Sequence, residues 1–254
     1  MKTRLVLRVV ALLLTALTLL VVVGCMSREP LQRKFLFFPT HYSVTGGLTP
    51  WKKGDELIGL SRPTTNPKTV WLMFHGNAGQ AADRTYALPS FPESDAVFIL
   101  EYPGYGMRAG LPSRSSFDAA AVDAYVFLRE SFPKTSVAVV GESIGSGPAS
   151  MLAAQPTPPD KIVLITPFDD LKSVAQDHFP YLPAGLLLGK SWDNVSALAN
   201  YRGPVEIFGA ESDRVISVEH AKNLAGKVPT AKFHLIEGGH NDWSRGNKVK
   251  FTNP

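Results

Sequence analysis

Residues 137–154 read VAVVGESIGSGPASMLAA, in which four apolar residues give way to Gly141-Glu-Ser143-Ile-Gly145 and then to a small-residue helical pattern. A hydroxyl at the apex of a tight turn between a buried strand and a helix is placed for nucleophilic attack. The flanking glycines relieve crowding, and the helix turns its first amides toward negative charge forming nearby. Gly-x-Ser-x-Gly alone is a weak signal, because serine is common in glycine-rich turns for reasons unrelated to chemistry. A serine hydroxyl also needs a base, and the base needs a carboxylate to orient it. The chain has six histidines: His41, His75, His178, His220, His234 and His240. His240 lies in a Gly-Gly turn after the last apolar run, which suits an accessible imidazole. His178, His220 and His234 lie in helix or strand patterns and read as structural or solvated. Asp213 ends the preceding apolar run, one helical pattern before His240. Asp169 and Asp170 are rival acids at the end of an earlier run, and Asp242 is too close in sequence to approach the His240 ring from behind.

These candidates are useful only if the fold gathers them. Apolar, β-branched runs at Thr69–Phe74, Ala96–Tyr102, Val137–Val140, Ile162–Ile165, Val205–Phe208 and Lys232–Ile236 read as strands buried on both faces. Helical patterns at Gln80–Leu88, Ser115–Ser131, Gly147–Ala154, Leu171–His178 and Val218–Gly226 alternate with them. Such alternation predicts an α/β fold, a mostly parallel sheet with helices on both faces. Lys34–Pro39 and Asp55–Leu60 read as added antiparallel edge strands. Ligands of open α/β sheets bind at the carboxyl ends of the strands, where these glycine-rich polar turns fall. Acyl transfer further needs amide donors for an oxyanion. The residue after the serine, Ile144, and the loop His75-Gly76-Asn77-Ala78-Gly79, through the Asn77 amide, are the candidates.

Composition bounds the class. The 254 residues, 44% of them hydrophobic, suit one globular domain. The net charge is +4, and setting aside Lys2, Arg4 and Arg8 leaves +1, which excludes an electrostatic footprint for nucleic acid. Residues 1–24 are a separate object: a basic start, then the apolar run Val9–Val23, shorter than the roughly 18–20 residues of a membrane-spanning helix. Val22-Val23-Gly24-Cys25 resembles a bacterial lipobox. Cys25, the single cysteine, is therefore the expected lipidation site, with residues 1–24 a lipoprotein signal peptide and residues 25–254 the mature domain; the alternative is an uncleaved signal anchor whose cysteine is incidental. The expected location is the cell envelope, lipid-anchored outside the cytoplasm. Met26 after the cysteine favours the outer membrane in a Gram-negative host.

Together, His75-Gly-Asn-Ala-Gly79, Glu101-Tyr-Pro-Gly-Tyr-Gly106 with Gly110-Leu-Pro-Ser113, Gly141-Glu-Ser-Ile-Gly-Ser-Gly147, Asp213 and Gly238-Gly-His-Asn-Asp242 resemble the α/β-hydrolase superfamily, in its Bem-type, depalmitoylase-like branch. Thr166-Pro-Phe168 and Ser191-Trp-Asp-Asn-Val195 are similar to that branch too. The resemblance implies an α/β-hydrolase fold and a serine hydrolase with Ser143 as nucleophile, His240 as base and Asp213 as acid. It implies no cofactor and no metal, and an acyl ester or thioester as substrate. Pro103 departs from the Arg common at that position in the branch. Only 14 residues follow His240 where a full final helix is usual, so the cover of the sheet there is open. Residues 179–199 make at most a helical flap: a minimal cap or none, its apolar residues divided between the core and an acyl groove or a face toward the bilayer. Two other classes compete. A peptidase of the oligopeptidase type shares the triad but usually carries a large second domain. A non-catalytic envelope lipoprotein would tend to have lost a triad member.

Overall fold

The computed structural model describes residues 36–181, 188–247 and 249–254, with Thr15 and Arg33; Cys25 and the leader around it lie outside the described residues. Strands β1 (Thr49–Lys53), β2 (Glu56–Arg62), β3 (Thr69–Phe74), β4 (Ala96–Leu100), β5 (Ser136–Glu142), β6 (Lys161–Ile165), β7 (Val205–Ala210) and β8 (Ala231–Ile236) form one sheet. Their spatial order is β8-β7-β6-β5-β3-β4-β2-β1. β1 with β2 and β2 with β4 pair antiparallel, and every other neighbour is parallel. This is the α/β-hydrolase fold, with each predicted central strand in place.

Period-two alternation divides the central strands between two cores. Val70, Leu72 and Phe74 of β3, Val137 and Val139 of β5, and Ile162 and Leu164 of β6 face one side. There they meet α1 (Arg114–Ser131), α2 (Ser146–Met151), α3 (Leu171–His178), α4 (Asn194–Leu198) and α5 (Val218–Lys227). Helix α1 is capped by Ser113, whose side chain accepts the Ser116 N–H at 3.0 Å, and it buries Phe117, Ala121, Ala124 and Leu128. Trp71 and Met73, Ala138 and Val140, and Val163 and Ile165 face the other side.

That second face has an unusual cover. The expected helix at Gln80–Leu88 is a 3-10 helix, Ala81–Ser90, with Pro89 inside it. The rest is irregular chain: Trp243, Val249 and Phe251 are buried there. The Phe251 ring lies 4.7 Å from Phe91 and 5.7 Å from Trp71. Its N–H donates to Ser90 O at 2.8 Å, and Lys161 Nζ donates to Thr252 O at 2.8 Å. Aromatic side chains thus cover this part of the sheet.

One predicted element is corrected. Lys34–Pro39 is no edge strand of the sheet. Among the described residues of that stretch Phe38–Pro39 is extended, and it pairs parallel with Ala78–Gly79 in a separate two-stranded ribbon. The outer strand is β1, where Trp51 alone is buried. Asp55–Leu60 is an edge-side strand as expected, shifted to β2. Trp192, expected in a flap, is core: it packs on Phe117, and its Nε1 donates to Asp118 Oδ1 at 2.7 Å. Residues 182–187 of the expected flap lie outside the described residues.

If the aromatic tail closes the second core, Phe251→Ala should cost about 3–5 kcal/mol in urea unfolding, as for a deleted core ring. A cost below about 1 kcal/mol would mean that the tail merely rests on the sheet.

Candidate active site

Ser143 follows β5 with φ of 54°, a left-handed conformation that residues other than glycine seldom adopt. Sterics explain its glycine neighbours. A Cβ on Gly141 would lie 2.6 Å from Gly145 O, and one on Gly145 would lie 2.2 Å from Phe74 O. The elbow is braced from below. Ser146 Oγ donates to Ser143 O at 2.7 Å and accepts from Asn194 Nδ2 at 3.0 Å, and the same amide donates to Phe168 O at 2.8 Å. The first residue of α4 therefore supports the turn that presents the serine.

The loop after β8 brings His240 to it. His240 Nε2 is 2.9 Å from Ser143 Oγ, and Nδ1 is 2.7 Å from Asp213 Oδ2. The other Asp213 oxygen accepts the Val215 and Ile216 N–H groups, each at 2.8 Å, which fixes the carboxylate plane. Asp242, too close to serve the ring, accepts the Gly239 N–H at 2.9 Å and shapes the histidine turn. The three residues read from sequence as nucleophile, base and acid meet at one point.

The rival acids are engaged elsewhere. Asp170 caps α3 by accepting the Lys172 N–H. Asp169 Oδ1 is 2.7 Å from His220 Nδ1, and His220 Nε2 is 3.0 Å from Asp177 Oδ2. The remaining histidines also have local partners: His41 lies 3.1 Å from Gly106 O, His178 lies 2.7 Å from Val215 O, and His234 stacks on Phe208 at 4.6 Å.

The loop carrying Asn77 is held on several sides. Asn77 Nδ2 donates to Leu36 O, and Tyr105 Oη donates to Asn77 Oδ1 at 3.1 Å. Tyr102 Oη donates to His75 O at 2.9 Å, and His75 Nε2 sits 3.5 Å from Glu101 Oε1. Both ends of the Asn77 side chain are therefore occupied, and only its main-chain amide remains as the candidate donor. The segment Glu101–Gly106 is the scaffold of this loop.

Glu142, Arg84, Tyr86 and Trp243 complete the site, and sequence reasoning missed all four. Glu142 is buried beside Ser143. Its Oε2 accepts the Gly76 N–H at 3.0 Å, and its Oε1 accepts Tyr86 Oη at 2.7 Å and Trp243 Nε1 at 2.8 Å. Arg84 Nε stands 3.9 Å from Oε2, while its Nη2 donates to Gly76 O at 3.3 Å and to Ala78 O. Burial alone would raise the Glu142 pKa, but the Arg84 charge and the donated hydrogen bonds hold it below the ordinary value. Burial also pushes the Tyr86 phenol up, which keeps it a donor. The only signal in the sequence was a charged residue inside an elbow that must be buried.

Above Ser143 lies a pocket of about 590 Å³ lined by Phe38, Asn77, Tyr86, Val215 and His240 among others. That volume suits a small or medium acyl compound. Among the described residues no cluster of His, Cys, Asp and Glu is arranged to hold a metal ion.

Comparison with known proteins bears on the fold. Residues 70–188 match the sequence model of the alpha/beta hydrolase fold. The Mycobacterium tuberculosis protein Rv2307c is 27% identical over 228 residues, covering 83% of this chain and 81% of its own. Protein bem46 of Schizosaccharomyces pombe is 27% identical, covering 76% and 68%. The lysophosphatidylserine lipase ABHD12 of Xenopus tropicalis is 26% identical over 68% of this chain and 51% of its own. Among solved structures, the Pyrococcus furiosus esterase PF2001 superposes with a TM-score of 0.64 at 14% identity, covering 82% of this chain and 91% of the esterase.

The Asp169–His220–Asp177 group makes stability depend on pH in a definite direction. The hydrogen bond to Asp169 leads the causes that raise the His220 pKa above its usual 6.5. Its contribution is therefore complete below about pH 6.5 and fades as pH rises through the folded value. For Asp169, burial alone would raise the pKa, but hydrogen bonds from His220, the Asp170 N–H and Asn223 bring it to about 2. That contribution is present above the unfolded value near 3.9 and fades as pH falls toward 2. The pair therefore stabilises most between about pH 4 and 6.5. The wild-type thermal midpoint should fall between pH 6.5 and 9 by a component that His220→Gln lacks. Parallel curves for the two proteins would contradict this.

Proposed function

We propose that this chain, which carries an α/β-hydrolase domain, is a serine hydrolase that cleaves a carboxylic ester or thioester through an acyl-enzyme. The observation that carries the reading is the continuous relay of 2.7 Å from Asp213 to His240 and 2.9 Å from His240 to Ser143, at the floor of a pocket. In the proposed reaction Ser143 Oγ attacks the carbonyl carbon as His240 Nε2 takes its proton. Asp213, held by two main-chain amides, accepts the Nδ1–H and stabilises the imidazolium. The tetrahedral oxyanion is received by the Ile144 and Asn77 N–H groups. Collapse expels the alcohol or thiol, which His240 protonates. Water then repeats the sequence on the acyl-Ser143 ester, releasing the acid and restoring the hydroxyl. The cycle needs no cofactor.

The acyl group is proposed to be lipid-like. One relative is named a lysophosphatidylserine lipase and one structural neighbour an esterase. The pocket wall includes Phe38 and Val215, and each methylene buried there contributes up to about 0.8 kcal/mol. Lipidation of Cys25 would hold the enzyme on an envelope membrane, on the outer membrane in a Gram-negative host, and raise the local concentration of such substrates. The described residues include no second domain to grip a polypeptide, so an ester is favoured over a peptide.

Ser143→Ala should lower ester hydrolysis by at least about 10³-fold with folding unchanged. Asp213→Asn should cost about 10⁴-fold in kcat, whereas Asp169→Asn and Asp170→Asn should each cost less than about tenfold. The reverse ranking would move the acid role to β6. Across p-nitrophenyl esters of increasing length, kcat/KM should rise with chain length and exceed that for peptide amides. Preference for a peptide amide would replace the esterase reading with the peptidase one, and a flat response would reject a lipid-like acyl group.

A further inference from the structure

Several of the large apolar side chains left in solvent among the described residues belong to the pocket wall or to loops bonded to it. Phe38 and Val215 form part of the pocket wall and are 52% and 49% exposed. Met107 and Leu111, each 60% exposed, lie in the loop after β4. That loop is tied to the Phe38 side of the mouth: the Gly106 N–H donates to Thr40 O at 2.9 Å, and His41 Nδ1 lies 3.1 Å from Gly106 O. Phe179 and Tyr181, 55% and 97% exposed, follow α3. There His178 Nε2 lies 2.7 Å from Val215 O. Two loops with exposed apolar side chains are thus bonded at or next to the pocket residues Phe38 and Val215, and the same pocket is lined by Ser143. Scattered exposed apolar residues are ordinary, but a contiguous set around one opening marks a surface that something covers.

The chain itself says what covers it. Arg33 Nε donates to Pro112 O at 3.3 Å, so the leader meets the body of the protein beside Leu111. Only residues 24–32 separate Arg33 from the apolar run Val9–Val23, and nine extended residues reach about 30 Å at most. Whatever apolar phase takes that run, or a lipid on Cys25, lies within that distance of the rim. We propose that the rim formed by Phe38, Met107, Leu111, Val215, Phe179 and Tyr181 docks on a lipid surface, so that the pocket mouth opens toward the bilayer. An acyl chain then passes from lipid to pocket along an apolar wall without crossing water. The docking stands on exposure and connectivity, and its catalytic consequence rests on the hydrolase reading above.

The full chain, reconstituted in phosphatidylcholine vesicles with and without brominated acyl chains, tests the docking independently of activity. The native Trp51, Trp71, Trp192 and Trp243 are all buried, so background quenching is low. The tryptophan introduced by Leu111→Trp should be quenched at least twofold by brominated lipid. The one introduced by Val126→Trp, an exposed apolar position about 18 Å along α1 from its first residue, should not be. Equal behaviour at the two positions, quenched or not, would overturn the proposal. In a second arm, Met107→Ser with Leu111→Ser should lower hydrolysis of a long-chain ester embedded in the vesicle at least tenfold and leave a soluble short ester within twofold. Unchanged turnover of the embedded ester, or an equal loss on both esters, would also overturn it. Absence of hydrolysis by the wild-type chain would reject the hydrolase reading while the quenching result stood.

Discussion

Glu142 places a carboxylate where water does not reach, and the groups that answer its charge come from three parts of the site. The Gly76 N–H comes from the loop after β3, Arg84 and Tyr86 from the 3-10 helix over the second face, and Trp243 from the turn that carries His240. A buried carboxylate left without partners costs several kcal/mol. The loop, the helix and the histidine turn therefore have to close on it together. Ser143 is the next residue, so this joint sets the distance between the hydroxyl, the Asn77 amide and the imidazole. Segments after three strands, β3, β5 and β8, are held in register by one charge.

The second constraint is the strain at Ser143. A serine with φ of 54° costs on the order of 1–3 kcal/mol, and the surroundings must over-determine it. They do so through Gly141 and Gly145, which admit the close approach of backbone, and through Ser146 and Asn194, which anchor the Ser143 carbonyl. Asn194 is held in turn by Phe168 O on the segment after β6, whose Thr166 also has a left-handed φ of 44°. The interval between β6 and β7 thus works chiefly as a buttress for the elbow. Its Trp192 and Asn194 are buried, and among its described large apolar residues Phe179 and Tyr181 keep the exposure expected of a flap.

Much of this was legible in the sequence, and what was missed has physical reasons. Parallel strands buried on both faces leave unbroken apolar runs, so β3 through β8 were recognisable to within two residues. The turns at their carboxyl ends carry the glycines and polar residues that led to Ser143, Asp213, His240, Asn77 and Ile144. Strand β1 was invisible because an edge strand with only Trp51 buried shows no alternation. The ribbon Phe38–Pro39 is extended because Ala78–Gly79 offers it a partner, which no local pattern records. The Glu142 joint draws on residues 76, 84, 86 and 243, whose sequence separation hides their meeting. The aromatic tail was missed for a similar reason: Trp243, Val249 and Phe251 have no helical spacing, yet they are buried in the second core.

The central claim is that Ser143 is the one activated hydroxyl of this chain. The most direct measurement treats the folded protein with a fluorophosphonate and maps the adduct by peptide mass spectrometry. The account predicts a single stoichiometric adduct on Ser143, abolished by prior denaturation and slowed in Glu142→Gln, where the loop, the elbow and the histidine turn lose their common charge. An adduct on another residue, or no adduct on a protein shown to be folded, would contradict it.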